Sequence, residues 1–422
     1  MRTGAEGDGL LIGAWHGLEP GGVTQLRADR IRACGVDFIH TYHVQGQDLE
    51  RAFTVCDRAG LGCVCYDANL SGKTDYLSQA VEIETAADDA ERIRRHLARC
   101  AGHPSYWGAA LMDEPSCAQF ARIRAMRELY RAAAPDQCCF VNLFPDYATL
   151  RQLGGSAAEA IGCGSYEEYV ESFVKTVDPD FLSYDYYPLL EENGRPALLP
   201  SYLHNFEVVS RVCRQYGLPF WFFIQCVGFN DFFRMPTWEE LRWQTYCALA
   251  YGVRVLQLFC YTTPPDVNGE TYSFAMEDRQ GRVTAQYGRV RRLIRELREF
   301  DRQYVSYRQV GVRYCAGKRP GVEQTPAEPP VGFAALHAVS SEYPVLIGCF
   351  AREDGHKALL LADLSLPWEK RRNEVSLRLS GVERVRVHPS GEARALGGGD
   401  GRLVLPLVES GGYFLELETT RA

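Results

Sequence analysis

Apolar runs of strand length alternate with longer helix-like stretches along the first 305 residues of the chain. The strand-like runs are almost continuous in apolar residues, which indicates a parallel sheet buried on both faces. We assign eight such runs, at residues 10–17, 36–44, 61–70, 106–114, 137–145, 180–189, 218–229 and 253–263. The pattern therefore predicts repeated strand–helix units over this part of the chain.

Helical spacing of apolar residues fills the stretches between these runs, as at residues 24–35 and 48–60, which both end in glycine. Glycine commonly follows a helix because it adopts the left-handed conformation without a steric penalty. Eight strand–helix units in about 300 residues match a (β/α)₈ barrel in number and length. A doubly wound open sheet is the competing fold, but residues 13–22 lack the glycine-rich phosphate turn that usually follows its first strand.

The pattern changes after residue 305, where helical spacing gives way to short strands separated by turns. We assign strands within residues 344–353, 357–365, 373–381, 382–391 and 402–418. Many short strands with frequent turns are typical of an antiparallel β-sandwich. The sequence thus predicts a barrel domain at residues 1–305 and a small β-sandwich domain at residues 306–422, packed against the barrel.

Charge and hydropathy exclude several classes of partner. The net charge of −8 and the lack of a basic cluster argue against a nucleic-acid partner. No apolar run approaches the roughly 18 residues that a membrane helix needs, so no membrane partner is expected. The first residues lack the apolar segment of a secretory signal, which favours a cytoplasmic location.

The 15 cysteines are scattered through apolar segments and are odd in number. This distribution favours reduced, buried thiols over a disulfide framework. The pairs Cys63/Cys65 and Cys138/Cys139 lack the Cys-x-x-Cys spacing of common zinc and redox sites, so no metal site is expected.

Polar and aromatic side chains collect at the carboxyl ends of the predicted barrel strands, where barrels of this kind form their active sites. An aspartate there can instead cap the next helix, and an aromatic ring can instead fill the core. The convergence at one rim nevertheless favours a substrate-binding role for the set. Its members are Trp15, His16, Tyr42, His43, Asp67, Asn142, Asp185, Gln225, Tyr261 and Glu270.

Two adjacent carboxylates, Asp113 and Glu114, end the fourth run in the segment YWGAALMDEPS. Ser116 can cap the following helix without them, so capping does not explain the pair. Repulsion between neighbouring carboxylates raises the pKa of one of them. A carboxyl group that stays protonated near neutral pH can act as a general acid. We therefore expect this pair to be catalytic.

A barrel with an acidic motif at the end of strand four, followed by a β-sandwich, resembles the glycoside hydrolases. In a large retaining clan of these enzymes, strand four ends in Asn-Glu-Pro and strand seven ends in the nucleophilic Glu. This chain matches the motif at Glu114 and Pro115 but has Asp113 in place of Asn and Gln225 near the nucleophile position. Because an amide cannot form the glycosyl-enzyme ester, the resemblance does not extend to that two-Glu mechanism.

The Asp-Glu pair is similar to that of the β-N-acetylhexosaminidases, and its Asp-Glu-Pro form resembles glycoside hydrolase family 123, a family of β-N-acetylgalactosaminidases. This resemblance implies retaining, substrate-assisted exo-hydrolysis, in which the acetamido oxygen of the sugar attacks the anomeric carbon. It implies that Asp113 orients the acetamido group, Glu114 is the general acid/base and Tyr187 binds the acetamido oxygen. The implied partner is a terminal β-linked, N-acetylated sugar, and no cofactor is needed.

Two alternatives stay open on the sequence. A conventional exo-glycosidase acting on neutral sugars would use Glu114 as the acid and Asp185 or Glu270 as the second carboxylate. Carboxyl groups about 5 Å apart would indicate a nucleophile, and a separation of roughly 6.5–9.5 Å would indicate a base that activates water. An inactive barrel would bind carbohydrate without hydrolysing it. The sequence also leaves the oligomeric state open, with a homodimer among the options.

Overall fold

The structure, a computed structural model, describes residues 9–41, 44, 46–67, 70, 86–149, 161–266, 270–324, 332–396 and 401–419. Eight parallel strands in these residues form a closed barrel, which confirms the predicted fold. The barrel strands are β1 (Leu11–Ala14), β2 (Phe38–His40), β3 (Gly62–Cys65), β4 (Tyr106–Asp113), β5 (Cys138–Leu143), β6 (Leu182–Asp185), β9 (Phe220–Gln225) and β10 (Val255–Phe259). Each lies within one of the eight runs predicted from the sequence. A hairpin of β7 (Leu189–Glu192) and β8 (Arg195–Leu198) follows β6.

Helices alternate with the barrel strands along the chain. They are α1 (Gln25–Cys34), α2 (Gly46–Ala59), α3 (Ala86–Cys100), α4 (Phe120–Ala133), α5 (Tyr166–Val177), α6 (Tyr202–Tyr216), α7 (Trp238–Ala250), α8 (Ala285–Arg298) and the short α9 (Asp301–Val305). As predicted, α1 ends at a glycine, Gly35, whose φ of 105° is in the left-handed region. Over the described parts of the chain, none of the helices combines the length and the apolar character needed to cross a membrane.

Aromatic side chains fill the barrel interior. Two of their rings pack directly over glycines, which have no Cβ atom to collide with them. A Cβ atom on Gly13 would lie 2.3 Å from the ring of Phe38, and one on Gly62 would lie 2.2 Å from the ring of Trp107. Interiors packed in this way hold no channel, so a ligand reaches the barrel only at its ends. The rim at the carboxyl ends of the strands is therefore the place to look for a site.

Antiparallel sheets make up the C-terminal region, again as predicted. The strands are β11 (Arg308–Cys315), β12 (Leu336–Ser341), β13 (Val345–Ala351), β14 (Lys357–Asp363), β15 (Asn373–Leu379), β16 (Val382–His388), β17 (Glu392–Ala395), β18 (Arg402–Leu407) and β19 (Gly412–Thr419). A six-stranded sheet has the order β11-β13-β14-β19-β16-β17, and a three-stranded sheet has the order β12-β15-β18. The change from helices to strands lies between the end of α9 and the start of β11, which is where the sequence pattern changes.

The six-stranded sheet is buried on both faces. Along β13, Val345 and Ile347 belong to the core shared with the three-stranded sheet, whereas Leu346 and Phe350 belong to the barrel core. Polar contacts reinforce this attachment, because the Arg242 guanidinium on α7 donates to the backbone carbonyls of residues 408 and 409 at 2.7 and 3.0 Å. The C-terminal region therefore packs against the barrel, in line with the sequence expectation.

The expectation that all cysteines are reduced is wrong for one pair. Cys117 and Cys163 form a disulfide with their Cα atoms 6.5 Å apart. Both are only partly buried. Cys117 begins a short 3₁₀ helix after β4 and Cys163 lies in the loop before α5, unlike the buried thiols of the strands and helices. Distant loops that meet only in the fold leave no pairing signal in the sequence. The other cysteines are free, and nearly all are buried.

We predict that Gly13→Ala lowers the free energy of unfolding by about 1–3 kcal/mol, because the added methyl group overlaps the buried Phe38 ring. The matched control is Gly288→Ala, in the exposed interior of α8, where a Cβ meets no atom within 4 Å. That change should raise the stability by roughly 0.5–1 kcal/mol, because alanine favours the helix. Urea unfolding of the three proteins measures both effects, and equal stabilities for Gly13→Ala and the parent chain would contradict the packing described.

Candidate active site

An irregular turn places the two adjacent carboxylates at the end of β4. Glu114 has a φ of 46°, in the left-handed region, where a side chain costs of order 1–3 kcal/mol. Its backbone N–H donates to the carbonyl of Asn142 at 2.8 Å, and the Tyr169 hydroxyl donates to the carbonyl of Pro115 at 2.7 Å. Neighbouring side chains on a regular strand point to opposite faces. The turn removes that constraint just after Asp113.

The Glu114 carboxyl group is surrounded by negative charge. Burial raises its pKa well above the ordinary value, and the carboxylates of Asp185, Asp113 and Glu270 raise it further. The sequence predicted the effect of Asp113. The fold adds Asp185, from the end of β6, and Glu270, from the loop after β10. A raised pKa favours the protonated form, which is the form that a general acid needs.

Asp185, at the end of β6, is the immediate partner of Glu114. Burial raises the pKa of Asp185 to about 6, although hydrogen bonds from Asn142 and Tyr187 act in the opposite direction. The two carboxyl groups lie within hydrogen-bonding reach of each other. Two carboxyl groups this close titrate as a pair, and one proton shared between them relieves their repulsion.

A chain of buried hydrogen bonds runs through the barrel to Asp185. The neutral His40 ring contacts Gln257 Oε1 through Nε2 at 2.8 Å, and Gln257 Nε2 donates to Ser183 Oγ at 3.0 Å. Ser183 then donates to Asn142 Oδ1 at 2.9 Å, and Asn142 Nδ2 donates to Asp185 Oδ1 at 2.7 Å. A carboxylate can only accept, which fixes the direction of each donor. Burial lowers the pKa of His40 to about 3, so the chain starts from an uncharged ring.

Tyrosines and phenylalanines form the wall beside these acids. The Tyr187 ring stacks on Phe259 with ring centres 4.7 Å apart and meets Phe229 edge-on at 5.4 Å. The Glu270 carboxylate accepts a hydrogen bond of 2.6 Å from the Tyr272 hydroxyl. Glu270 and Tyr187 therefore lie at the predicted site, against an aromatic surface of the kind on which sugar rings pack.

Four residues of this arrangement were missed by the sequence analysis. They are His40, Tyr147, Ser183 and Gln257. The Tyr147 hydroxyl accepts from the backbone N–H of Tyr187 at 3.4 Å, and its pKa is raised by burial and by the charges of Asp185 and Glu114. The other three are polar residues inside apolar barrel strands, and that feature is a signal from which they could have been identified.

Trp15 and His16 lie at the rim end of β1, where the sequence placed them. Both are buried, and the Trp15 ring lies 5.0 Å from the ring of His40 and 4.8 Å from that of Tyr66. The Trp15 ring therefore packs between His40, where the hydrogen-bond chain starts, and the rim of the barrel. The predicted residues Tyr42 and His43 lie outside the described residues.

Asp67 does not face the site, contrary to the prediction. Its carboxylate contacts His96 Nδ1 at 2.9 Å, on the side of β3 that faces α3. Side chains alternate along a strand, so Tyr66 faces the barrel interior and Asp67 faces outward. The pairing contributes to the pKa of His96, which is raised to about 9 despite burial.

Gln225 and Tyr261 also differ from their predicted roles. The Gln225 amide is fully buried, accepts from the backbone N–H of Leu189 at 3.0 Å and donates to the carbonyls of Leu189 and Arg234 at 3.3 and 2.9 Å. The Gln225 side chain links the start of β7 to the loop at Arg234, so both of its N–H groups are used within the protein. The Tyr261 ring lies 6.4 Å from that of Tyr287 on α8, outside the barrel, because the chain has left β10 two residues earlier.

Comparison with known proteins shows similarity in fold. No family model and no curated protein sequence matches the chain. The solved β-galactosidase from Bacillus circulans sp. alkalophilus is similar with a TM-score of 0.56 at 9% identity, over 97% of this chain and 99% of that one. The β-galactosidase from the psychrophilic Marinomonas ef1 is similar with a TM-score of 0.51 at 9% identity, over 74% of this chain and 64% of that one. The chain therefore has a fold that is found among glycoside hydrolases.

We predict that Asn142→Leu raises the pKa of Asp185 above its value of about 6, because the carboxylate loses the donor at 2.7 Å. Carbon-detected NMR titration of ¹³C-labelled aspartate measures this value. Asn205→Leu is the matched control, since Asn205 is a buried asparagine that bonds to the backbone of Asp146 and Ser201 instead. An Asp185 titration that is the same in both variants would contradict the described chain.

Proposed function

We propose that the chain is a glycoside hydrolase in which Glu114 protonates the leaving oxygen of the glycosidic bond. The observation that carries the proposal is the hydrogen-bonded pair of Glu114 and Asp185 at the rim of the barrel. Departure of an alcohol requires a proton donor, and a carboxylic acid with a raised pKa supplies it at neutral pH. The fold shared with two β-galactosidases is consistent with this chemistry.

The closeness of the two carboxyl groups limits the role of Asp185. Hydrogen-bonded oxygens lie about 2.5–3.0 Å apart. The two carboxyl groups of a conventional glycosidase flank the bond at roughly 5 Å for a nucleophile or 6.5–9.5 Å for a water-activating base. Carboxyl groups this close leave no room for a sugar between them, so we assign Asp185 the role of orienting a substrate group rather than of attacking the anomeric carbon.

An N-acetylated sugar supplies the nucleophile that this arrangement lacks. In the proposed reaction the acetamido oxygen attacks the anomeric carbon, the glycosidic bond breaks, and Glu114 gives its proton to the leaving oxygen. The resulting oxazoline is then opened by water, whose proton returns to Glu114. Asp185 accepts the acetamido N–H in place of the Tyr187 hydroxyl, and that hydroxyl turns to donate its proton to the acetamido oxygen.

This assignment modifies the one that the family resemblance implied. There, Asp113 orients the acetamido group. Asp113 is close enough to raise the pKa of Glu114, but Asp185 is the acid within hydrogen-bonding reach of both Glu114 and Tyr187. We therefore assign the orienting role to Asp185 and an electrostatic role to Asp113.

A conventional glycosidase acting on neutral sugars is the second candidate. The charge of Glu270 raises the pKa of Glu114, yet no hydrogen bond joins these two carboxyl groups among the described contacts. The Tyr272 hydroxyl holds Glu270 Oε2 at 2.6 Å. A carboxylate that is close to the acid, separate from it and held by a tyrosine has the features of a nucleophile.

We predict that Glu114→Gln lowers kcat on a nitrophenyl N-acetyl-β-hexosaminide by about 10²–10⁴-fold, because the leaving oxygen loses its proton donor. A dinitrophenyl substrate should lose much less, since its leaving group departs without a proton. Steady-state kinetics on both substrates measures the difference. Glu191→Gln, an exposed glutamate on β7, is the control and should behave like the parent chain.

The substrate panel also separates the candidates. Cleavage of plain galactosides or glucosides in preference to their 2-acetamido counterparts would overturn acetamido participation and favour the Glu270 mechanism. Sugar binding without hydrolysis by the parent chain would overturn both and favour a carbohydrate-binding barrel.

We predict that kcat/KM falls as the pH drops through about 6, because Asp185 then takes up a proton and cannot accept the acetamido N–H. Activity requires the ionised form of Asp185, so it is present above the pKa of this group and is lost as the pH falls below it. Asp185→Asn should remove this acidic limb from the profile as well as lower the rate. Asp113→Asn is the control and should keep the limb, and an acidic limb retained in Asp185→Asn would contradict the assignment.

A further inference from the structure

Two cysteines and a histidine converge on the outer side of the barrel wall, away from the catalytic acids. Cys65 is the last residue of β3, and His96 and Cys100 lie one helical turn apart on the facing side of α3. Their sulfur and ring-nitrogen atoms all lie within 4.8 Å of one another, and all three residues are buried. The mechanism proposed above uses none of them.

The spacing of these atoms is close to that of a tetrahedral zinc site. Cys100 Sγ lies 3.9 Å from His96 Nδ1, and Asp67 Oδ2 lies 2.9 Å from the same nitrogen. Zinc bond lengths of about 2.3 Å to sulfur and 2.0–2.1 Å to nitrogen or oxygen give tetrahedral edges of roughly 3.3–3.8 Å. The ligand atoms of Cys65, His96 and Cys100 lie within 4.8 Å of one another, so shifts of up to about 1 Å bring them to these edges. The Asp67 carboxylate is near the His96 nitrogen but outside this group, so it has to turn toward the two sulfurs to complete the tetrahedron.

We propose that Cys65, Asp67, Cys100 and the Nδ1 atom of His96 bind a zinc ion in a closed structural site. Two thiolates and an imidazole favour zinc over the hard cations, and four protein ligands leave no open position for a substrate. The sequence analysis expected no metal because it searched for Cys-x-x-Cys spacing. Here the ligands are a Cys-x-Asp segment at a strand end and a His-x₃-Cys segment of a helix, which only the fold brings together.

Hydrogen bonds around the site fix the ligands in the required orientation. His96 Nε2 contacts the Tyr106 hydroxyl at 2.7 Å, which leaves Nδ1, near Asp67 and the Cys100 sulfur, as the nitrogen that can bind a metal. The Tyr106 hydroxyl in turn bonds to that of Tyr130. Thr41 hydrogen-bonds to the sulfur of Cys65. Outer contacts of this kind orient metal ligands and hold the histidine tautomer.

Charge and protons balance on binding. The Nδ1–H···Oδ2 hydrogen bond between His96 and Asp67 is replaced by two bonds to the metal, and the Nδ1 proton and the thiol protons are released to solvent. Two thiolates, one carboxylate and a divalent ion leave a net charge of −1 at the site. The Arg99 guanidinium, 4.0 Å from Asp67 Oδ2, offsets that charge.

The proposal is tested with cobalt(II), which takes zinc sites and has a visible spectrum. The full chain is stripped with a chelator under reducing conditions and titrated with cobalt chloride. We expect one equivalent of cobalt to give tetrahedral d–d bands and a sulfur-to-cobalt charge-transfer band, both of which zinc abolishes. Metal analysis of the untreated protein should find about one zinc per chain, and zinc should raise the Tm of the stripped chain.

Cysteine variants locate the ligands. Cys65→Ser and Cys100→Ser should lose the charge-transfer band or reduce it by about half, because each removes one thiolate. Cys63→Ser is the matched control, since Cys63 is a buried thiol on the same strand that instead contacts Cys56. It should keep the full spectrum.

Three results would overturn the proposal. The first is a parent chain that binds neither cobalt nor zinc. The second is a charge-transfer band that survives unchanged in Cys100→Ser. The third is a stripped chain that forms a Cys65–Cys100 disulfide and never retains metal. None of these results bears on glycoside hydrolysis, so the two proposals stand or fall separately.

Discussion

The Glu114 and Asp185 carboxyl groups lie within hydrogen-bonding reach of each other, so holding both as anions is unfavourable. One proton between them is the least costly arrangement, and it creates an acid and a base from two residues of similar intrinsic strength. The rest of the barrel rim adjusts that balance. Negative charge from Asp113 and Glu270 keeps the proton on Glu114, while the donors Asn142 and Tyr187 favour the anion on Asp185.

This balance depends on backbone and core features that carry no charge themselves. The left-handed turn at Glu114 is unfavourable on its own, and the contacts of Asn142 and Tyr169 to the same turn offset that cost. The hydrogen-bond chain that ends at Asp185 starts from His40, inside a packed aromatic core. A change deep in the barrel can therefore alter the protonation of the rim without touching a ligand.

Much of the fold was predictable because strand runs and turn residues are local features. The eight barrel strands and the carboxylate pair at Asp113 and Glu114 followed from such patterns. Site residues were harder, because the direction of a side chain depends on strand register. Asp67 and Tyr66 differ by one position and face opposite sides of the wall. Gln225 bonds to the backbone of Leu189 and Arg234, which only the fold places beside it. The disulfide of Cys117 and Cys163 depends on tertiary contact alone.

The burial of α7 has a consequence for how this protein can be divided. All thirteen residues of this helix except Glu239 are buried, because the barrel covers one side and the six-stranded sheet covers the other. A shortened chain that ended after α9 would expose this apolar helix to water, and the released sheet would expose its own second apolar face. The barrel is thus not expected to fold as a unit without the C-terminal sheets. A fusion partner or an immobilisation tag should therefore be added to the chain and should not replace the C-terminal sheets.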